Sequence, residues 1–127
     1  MKNAPFGNFP LKKLAFLLLV IPFLLSCNLI PTPEPPGVGE KAELGYAALD
    51  PVIKGLEQYQ ANQGVYPETL DELVPDYLPS VPTEVNNESI QYTKTDESFS
   101  LAFHYIGPGM NTCTYTPESN WKCSGAY

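Results

Sequence analysis

IQYTKTDESFSLAFHY, Ile90 to Tyr105, decides the fold. Apolar and polar residues alternate on both sides of an acidic centre. A turn at Asp96-Glu97 opposes Tyr92 to Leu101 and Ile90 to Phe103. One face then collects Ile90, Tyr92, Phe99, Leu101, Phe103 and Tyr105. The other collects Gln91, Thr93, Ser98, Ser100, Ala102 and His104. Period-two alternation with one apolar face is the signature of an antiparallel sheet covered on one side.

Downstream, Gly107-Pro108-Gly109 breaks the alternation and turns the chain. Two further strands are expected, Thr112 to Thr116 and Asn120 to Ser124. Cys113 and Cys123 lie equally far from Glu118, so a symmetric hairpin faces them, with Tyr115 opposite Trp121. If Cys27 is consumed by lipid, as argued below, two thiols remain in an oxidising compartment, and a Cys113–Cys123 disulfide is the expected pairing. Closing such a loop stabilises by about 2–3 kcal/mol in the chain-entropy model. A redox or metal pair would use closer spacing or additional His and Cys ligands.

Upstream the period changes. Leu49, Val52, Ile53, Leu56 and Tyr59 recur at steps of three and four, one apolar stripe of a helix within Glu40 to Gly64. Asp50-Pro51 has the form of an N-cap followed by proline at the first helical position. Glu40 to Leu49 is then either a separate preceding turn or the same helix with a kink. Gly64 is the expected stop. Thr69 with Glu72 marks a short helix ended by Pro75, with Leu70, Leu73 and Val74 pinning it to the core. Asp76 to Asn87 reads as a proline-containing loop with Tyr77 and Leu78 turned inward. The expected class is α+β, one long N-terminal helix packed on a small antiparallel sheet.

The N-terminus has a different composition. Lys2, Lys12 and Lys13 precede an apolar run, Leu14 to Leu25, interrupted only by Pro22. The run is shorter than the ~20 residues a membrane-spanning helix needs and fits a signal core of about 7–15. It ends in Leu24-Leu25-Ser26-Cys27, which resembles the lipobox of bacterial lipoproteins. That resemblance implies removal of residues 1–26 and lipid on Cys27: diacylglycerol on sulfur, often with a third acyl chain on the amine. Several acyl chains make a stable anchor, at about 0.8 kcal/mol per buried CH2. Asn28 is not the aspartate that favours inner-membrane retention in enterobacterial lipoproteins, so the outer membrane is the expected site in a host that has one. Residues 27–39, with Pro31, Pro33, Pro35 and Pro36, read as an extended tether. Residues 40–127 form the globular domain.

Charge excludes one class of partner. The chain has 7 lysines, no arginine and 14 carboxylates; beyond Cys27 four lysines face those 14, a net charge of −10. Such a surface repels phosphate, so nucleic acid is not an expected partner. Solubility is the plain role of this acidity; a cationic partner is the sharper one.

Lys54 to Pro82, KGLEQYQANQGVYPETLDELVPDYLPSVP, resembles the soluble domain of type II secretion major pseudopilins and related type IV pilins. Tyr59, Asn62, Gly64, Tyr66, Pro67, Leu70, Leu73, Val74 and Pro82 stand at the places of that pattern. The resemblance implies a pilin-like α+β domain and an envelope protein partner in a secretion or pilus assembly. It does not extend to the N-terminus. Gly7 is followed by Asn8, and the fifth residue after it is Lys12, where pilins have glutamate. The apolar helix that packs pilins into filaments is absent beyond the lipobox, so filament assembly is not implied. Loops of these pseudopilins hold calcium; here Asp96 and Glu97 read as an acidic hairpin tip, and no spacing of oxygen ligands promises a hard-ion site.

Catalytic motifs are sparse. His104 is the single histidine, on the polar sheet face. The chain has no nucleophile elbow, phosphate-binding glycine loop or HExxH. No enzyme activity and no cofactor other than the covalent lipid are expected. Most aromatic residues read as core; Tyr115 and Trp121, at the disulfide hairpin, are the candidate contacts for a partner.

Overall fold

The computed structural model describes residues 32–125. The segment read as a signal, Cys27 and Tyr127 lie outside them. Among the described residues a single α-helix, α1, runs Glu40–Gln63. Ala42, Gly45, Leu49, Val52, Ile53, Gly55 and Leu56 are its buried residues, a stripe at helical spacing. Glu40 and Glu43 in the first turn complement the positive end of the helix dipole. Gly64 closes it in the left-handed conformation (φ 81°), its N–H donating to the carbonyl of Gln60 at 2.8 Å. Of the two sequence alternatives, one continuous helix is found, with Pro51 inside it. Proline supplies no N–H to the preceding turn. Burial of Ala42 and Leu49 before it and Val52 after it carries the helix through, and Pro51 itself faces solvent.

A short 3-10 helix, Leu70–Leu73, follows. The carboxylate of Glu72 accepts the N–H groups of Glu68 (2.8 Å) and Thr69 (3.0 Å), and also the Tyr59 hydroxyl of α1 (2.9 Å). Leu73 is buried and Leu70 half-buried. Val74, expected to pin this segment, is 38 % exposed. The backbone turns extended at Val74 and takes its side chain off the face that Leu73 occupies. Leu78 is buried and Tyr77 half-buried, as their pattern implied.

The sheet is a meander of β3 (Gln91–Lys94), β4 (Phe99–Ile106), β5 (Met110–Thr116) and β6 (Asn120–Gly125), each antiparallel to the next. Tyr92 pairs with Leu101, Cys113 with Cys123 and Tyr115 with Trp121, the registers read from sequence symmetry. Ile90 falls just outside β3. A feature the sequence reading missed is a small hairpin inside the expected loop, β1 (Glu84–Val85) with β2 (Glu88–Ser89). Asn86 and Asn87 turn it with φ of 55° and 64°, a region asparagine tolerates better than most residues.

Helix and sheet meet through Phe99, Leu101, Phe103 and Tyr105 of β4, packed with Leu49, Val52, Leu56 and Leu73. The closest approach is at Gly45, where an added Cβ would lie 2.1 Å from the ring of Phe103. Only glycine lets the helix backbone come this near the aromatic ring. The described residues from Pro33 onward form one unit.

Candidate functional site

The β5–β6 hairpin is where the sheet runs past its helical cover. Its inner face alternates Cys113 and Tyr115 on β5 with Trp121 and Cys123 on β6, because successive strand residues point to opposite sides. The disulfide Cys113–Cys123 joins the two strands. Cys113 is fully buried, whereas Tyr115, Trp121 and Cys123 are half-buried and pack at the border of the core.

Tyr46 of α1 completes the cluster. Its ring lies 5.1 Å from Trp121 and edge-on to Phe103 at 5.6 Å. Trp121 in turn meets Phe103 at 5.3 Å and Tyr115 at 5.4 Å, both edge to face. These are the separations aromatic quadrupoles prefer. The Tyr46 hydroxyl donates to the carbonyl of Gly37 at 3.0 Å and touches Cys123 Sγ at 3.1 Å. Gly37 N–H donates to the Tyr105 hydroxyl at 2.8 Å. Gly37 holds φ 86°, and an added Cβ would come 2.8 Å from Cys123 Sγ. The last part of the segment read as an extended tether is therefore docked on the domain.

Carboxylates lie near the Tyr115 end of the strip. Burial raises the Tyr115 phenol, and the negative charges of Glu57 and Asp50 add to the rise along with Tyr66. Tyr66 is raised in the same way by burial, then Glu57 and Glu118. Asp50 and Glu57 project from the exposed side of α1, and Glu118 from the β5–β6 turn. The Ser98 hydroxyl donates to Glu118 at 2.7 Å and holds its carboxyl below the usual range. The strip is a half-buried aromatic surface in a field of negative charge, which suits a lysine or arginine laid on the rings.

Tyr115 and Trp121, the sequence candidates, are thus brought side by side, but each is partly committed to packing. Tyr46 and Gly37 were not singled out from sequence. Tyr46 could have been: it lies four residues after Ala42 and three before Leu49, on the buried stripe of α1.

Elsewhere, His104 stands on the outer sheet face with Nδ1 2.9 Å from Thr112 Oγ1. Among the described residues no three His, Cys, Asp or Glu side chains gather as a metal site would require. Nor is any helix among them long and apolar enough to cross a membrane. No protein family matches the chain, and no curated protein or solved structure is detectably similar to it.

Proposed function

We propose that this chain is a non-catalytic lipoprotein of the bacterial envelope whose pilin-like domain binds another envelope protein. It is anchored through lipid on Cys27 and serves as an accessory subunit of a secretion or pilus assembly. The observation that carries the binding part is the half-buried strip of Tyr46, Tyr115 and Trp121 beside the Cys113–Cys123 bridge. Buried aromatic anchors flanked by polar rims are where binding energy concentrates in protein interfaces. The anchor and its compartment rest on Leu24-Leu25-Ser26-Cys27, and the assembly on the pseudopilin-like pattern of Lys54 to Pro82.

A second reading is favoured by Asp50, Glu57 and Glu118 near the Tyr115 end of the strip: capture of a cationic protein unrelated to secretion. The two readings differ in salt dependence. Capture held by these charges weakens steeply between low and physiological ionic strength, because exposed charges are screened within about 8–10 Å. Docking led by aromatic burial weakens little.

The test is photocrosslinking in intact cells with a photoreactive residue in place of Trp121, once the variant is shown to melt like the parent. Recovery of secretion or pilus components is the expected result. Recovery of one unrelated basic protein, released by salt, moves the assignment to the second reading. Capture of neither overturns both.

A further inference from the structure

The end of the domain at which the chain enters carries apolar side chains that no other described residue covers. Val38 is 51 % exposed, Ile106 58 % and Met110 62 %. Scattered single apolar residues are ordinary on a surface; a cluster is not. Ile106 and Met110 are opposed in the last pair of the β4–β5 ladder. Val38 and Ile106 line one open cleft of about 260 Å³ together with Pro108. This tip is firmly held. Gly107 N–H donates to Gly109 O at 2.8 Å, and the buried Asn111 side chain donates to the same carbonyl at 3.2 Å. Lys41 Nζ donates to the carbonyl of Ile106, and Gly37, next to Val38, is fixed on Tyr105.

The length of chain outside the described residues says what meets this end. Pro33 comes six residues after Cys27. Even fully extended, six residues span only about 20 Å. A lipid on Cys27 therefore keeps Pro33, five residues before Val38, within that distance of the bilayer. Tethering over so short a reach gives an effective concentration on the order of mM, so a contact too weak to form between free partners becomes populated. Glu34, Glu40 and Lys41 line the same cleft, and the net negative charge of the three disfavours anionic headgroups.

We infer that Val38, Ile106 and Met110 form a second, reversible contact with the bilayer that holds Cys27, and that this contact selects zwitterionic over anionic headgroups. It rests on the lipid-anchor reading above. Docked by this tip, the domain stands with its entry end on the lipid and the Tyr115–Trp121 strip facing away along β5 and β6.

Met110 is the single methionine after Met1, so its oxidation is read directly as an added oxygen in the intact mass. The lipidated full-length product is purified, the lipid on Cys27 confirmed by mass, and the protein reconstituted in phosphatidylcholine–phosphatidylethanolamine vesicles. Chloramine-T, an anion excluded from the bilayer, is the oxidant. Met110 is expected to oxidise at least about fivefold more slowly than in the variant Val38→Asp with Ile106→Asp in the same vesicles. Both replaced residues are exposed, and matching melting curves confirm that the variant folds. The wild-type to variant ratio is expected to move toward one as phosphatidylglycerol replaces the neutral lipid at low salt. Equal rates in neutral vesicles overturn the second contact and leave the anchor standing; a ratio indifferent to phosphatidylglycerol overturns the headgroup preference. Absence of lipid on Cys27 overturns the anchor and this inference together.

Discussion

Strands β4 and β6 belong to one sheet and are held in place by different physics. On β4, Phe99, Leu101, Phe103 and Tyr105 are all buried, with a strand on either side and α1 across the face. No residue of β6 is buried; Trp121 and Cys123 are half-buried, and no other described strand pairs with its outer edge. Burial secures the first, and a covalent bond to β5 secures the second. A domain this small has apolar surface enough to enclose only part of its sheet. The strand beyond that limit is stapled, and its aromatic side chain remains at the surface, where a partner can reach it.

The largest test of this division is Phe103→Ala. Phe103 is enclosed by Gly45, Tyr46 and Trp121, so its truncation leaves a cavity and is expected to cost about 3–5 kcal/mol in urea denaturation. A cost below 1 kcal/mol would mean that β4 is not the centre of the core. Next comes Cys113→Ser with Cys123→Ser, expected to cost about 2–3 kcal/mol. The loss should be local: amide exchange quickens first on β6, while β3 and β4 keep their protection. Uniform acceleration across the sheet would show that β6 is not separately held.

The smallest effect sharpens the contrast between the two edges. At the other edge the Tyr92 hydroxyl on β3 donates to Pro67 O at 2.7 Å, and burial, aided by Glu68 and Glu72, pushes its phenol up to about 12. An unfolded tyrosine ionises near 10. The folded state therefore holds this proton longer, and its contribution is complete below pH 10 and lost as pH rises from 10 to 12. In Tyr92→Phe the fall in stability across that window should be shallower, while stability at neutral pH drops by about 0.5–1.5 kcal/mol with the lost hydrogen bond. An alkaline limb identical to the parent's would remove Tyr92 from the account.

Both hairpin registers were legible because alternation leaves one pairing that gathers Tyr92, Phe99, Leu101 and Phe103 on a single face; a slip of one residue at Asp96-Glu97 would expose Phe99, Leu101 and Phe103 together. The disulfide followed from the same symmetry about Glu118. The start of α1 was legible only as two alternatives. Asp50-Pro51 satisfies local capping rules, and burial of Ala42, Gly45 and Leu49, which local rules do not weigh, decides between them. Val74 misled because it continues the apolar spacing of Leu70 and Leu73 past the residue at which the backbone leaves the helix. At the candidate site, Tyr115 and Trp121 came from pairing symmetry, whereas the docking of Gly37 did not. A proline-rich segment shows no period, and Gly37 is held through its backbone N–H and carbonyl, groups every residue but proline offers alike.

That docking also decides how the molecule bears a load. A pull on the chain ahead of Pro33 is not delivered first to the opening turn of α1. It reaches Gly37, and from there divides between Tyr46 on the helix and Tyr105 on the central strand. Both hydrogen bonds must give way before Glu40 feels tension. The tyrosine pair acts as a strain relief, like the clamp that keeps a tug on a cable away from its solder joints, and a drag on the chain ahead of Pro33 is spread into the best-buried strand of the domain instead of unwinding its helix from the end.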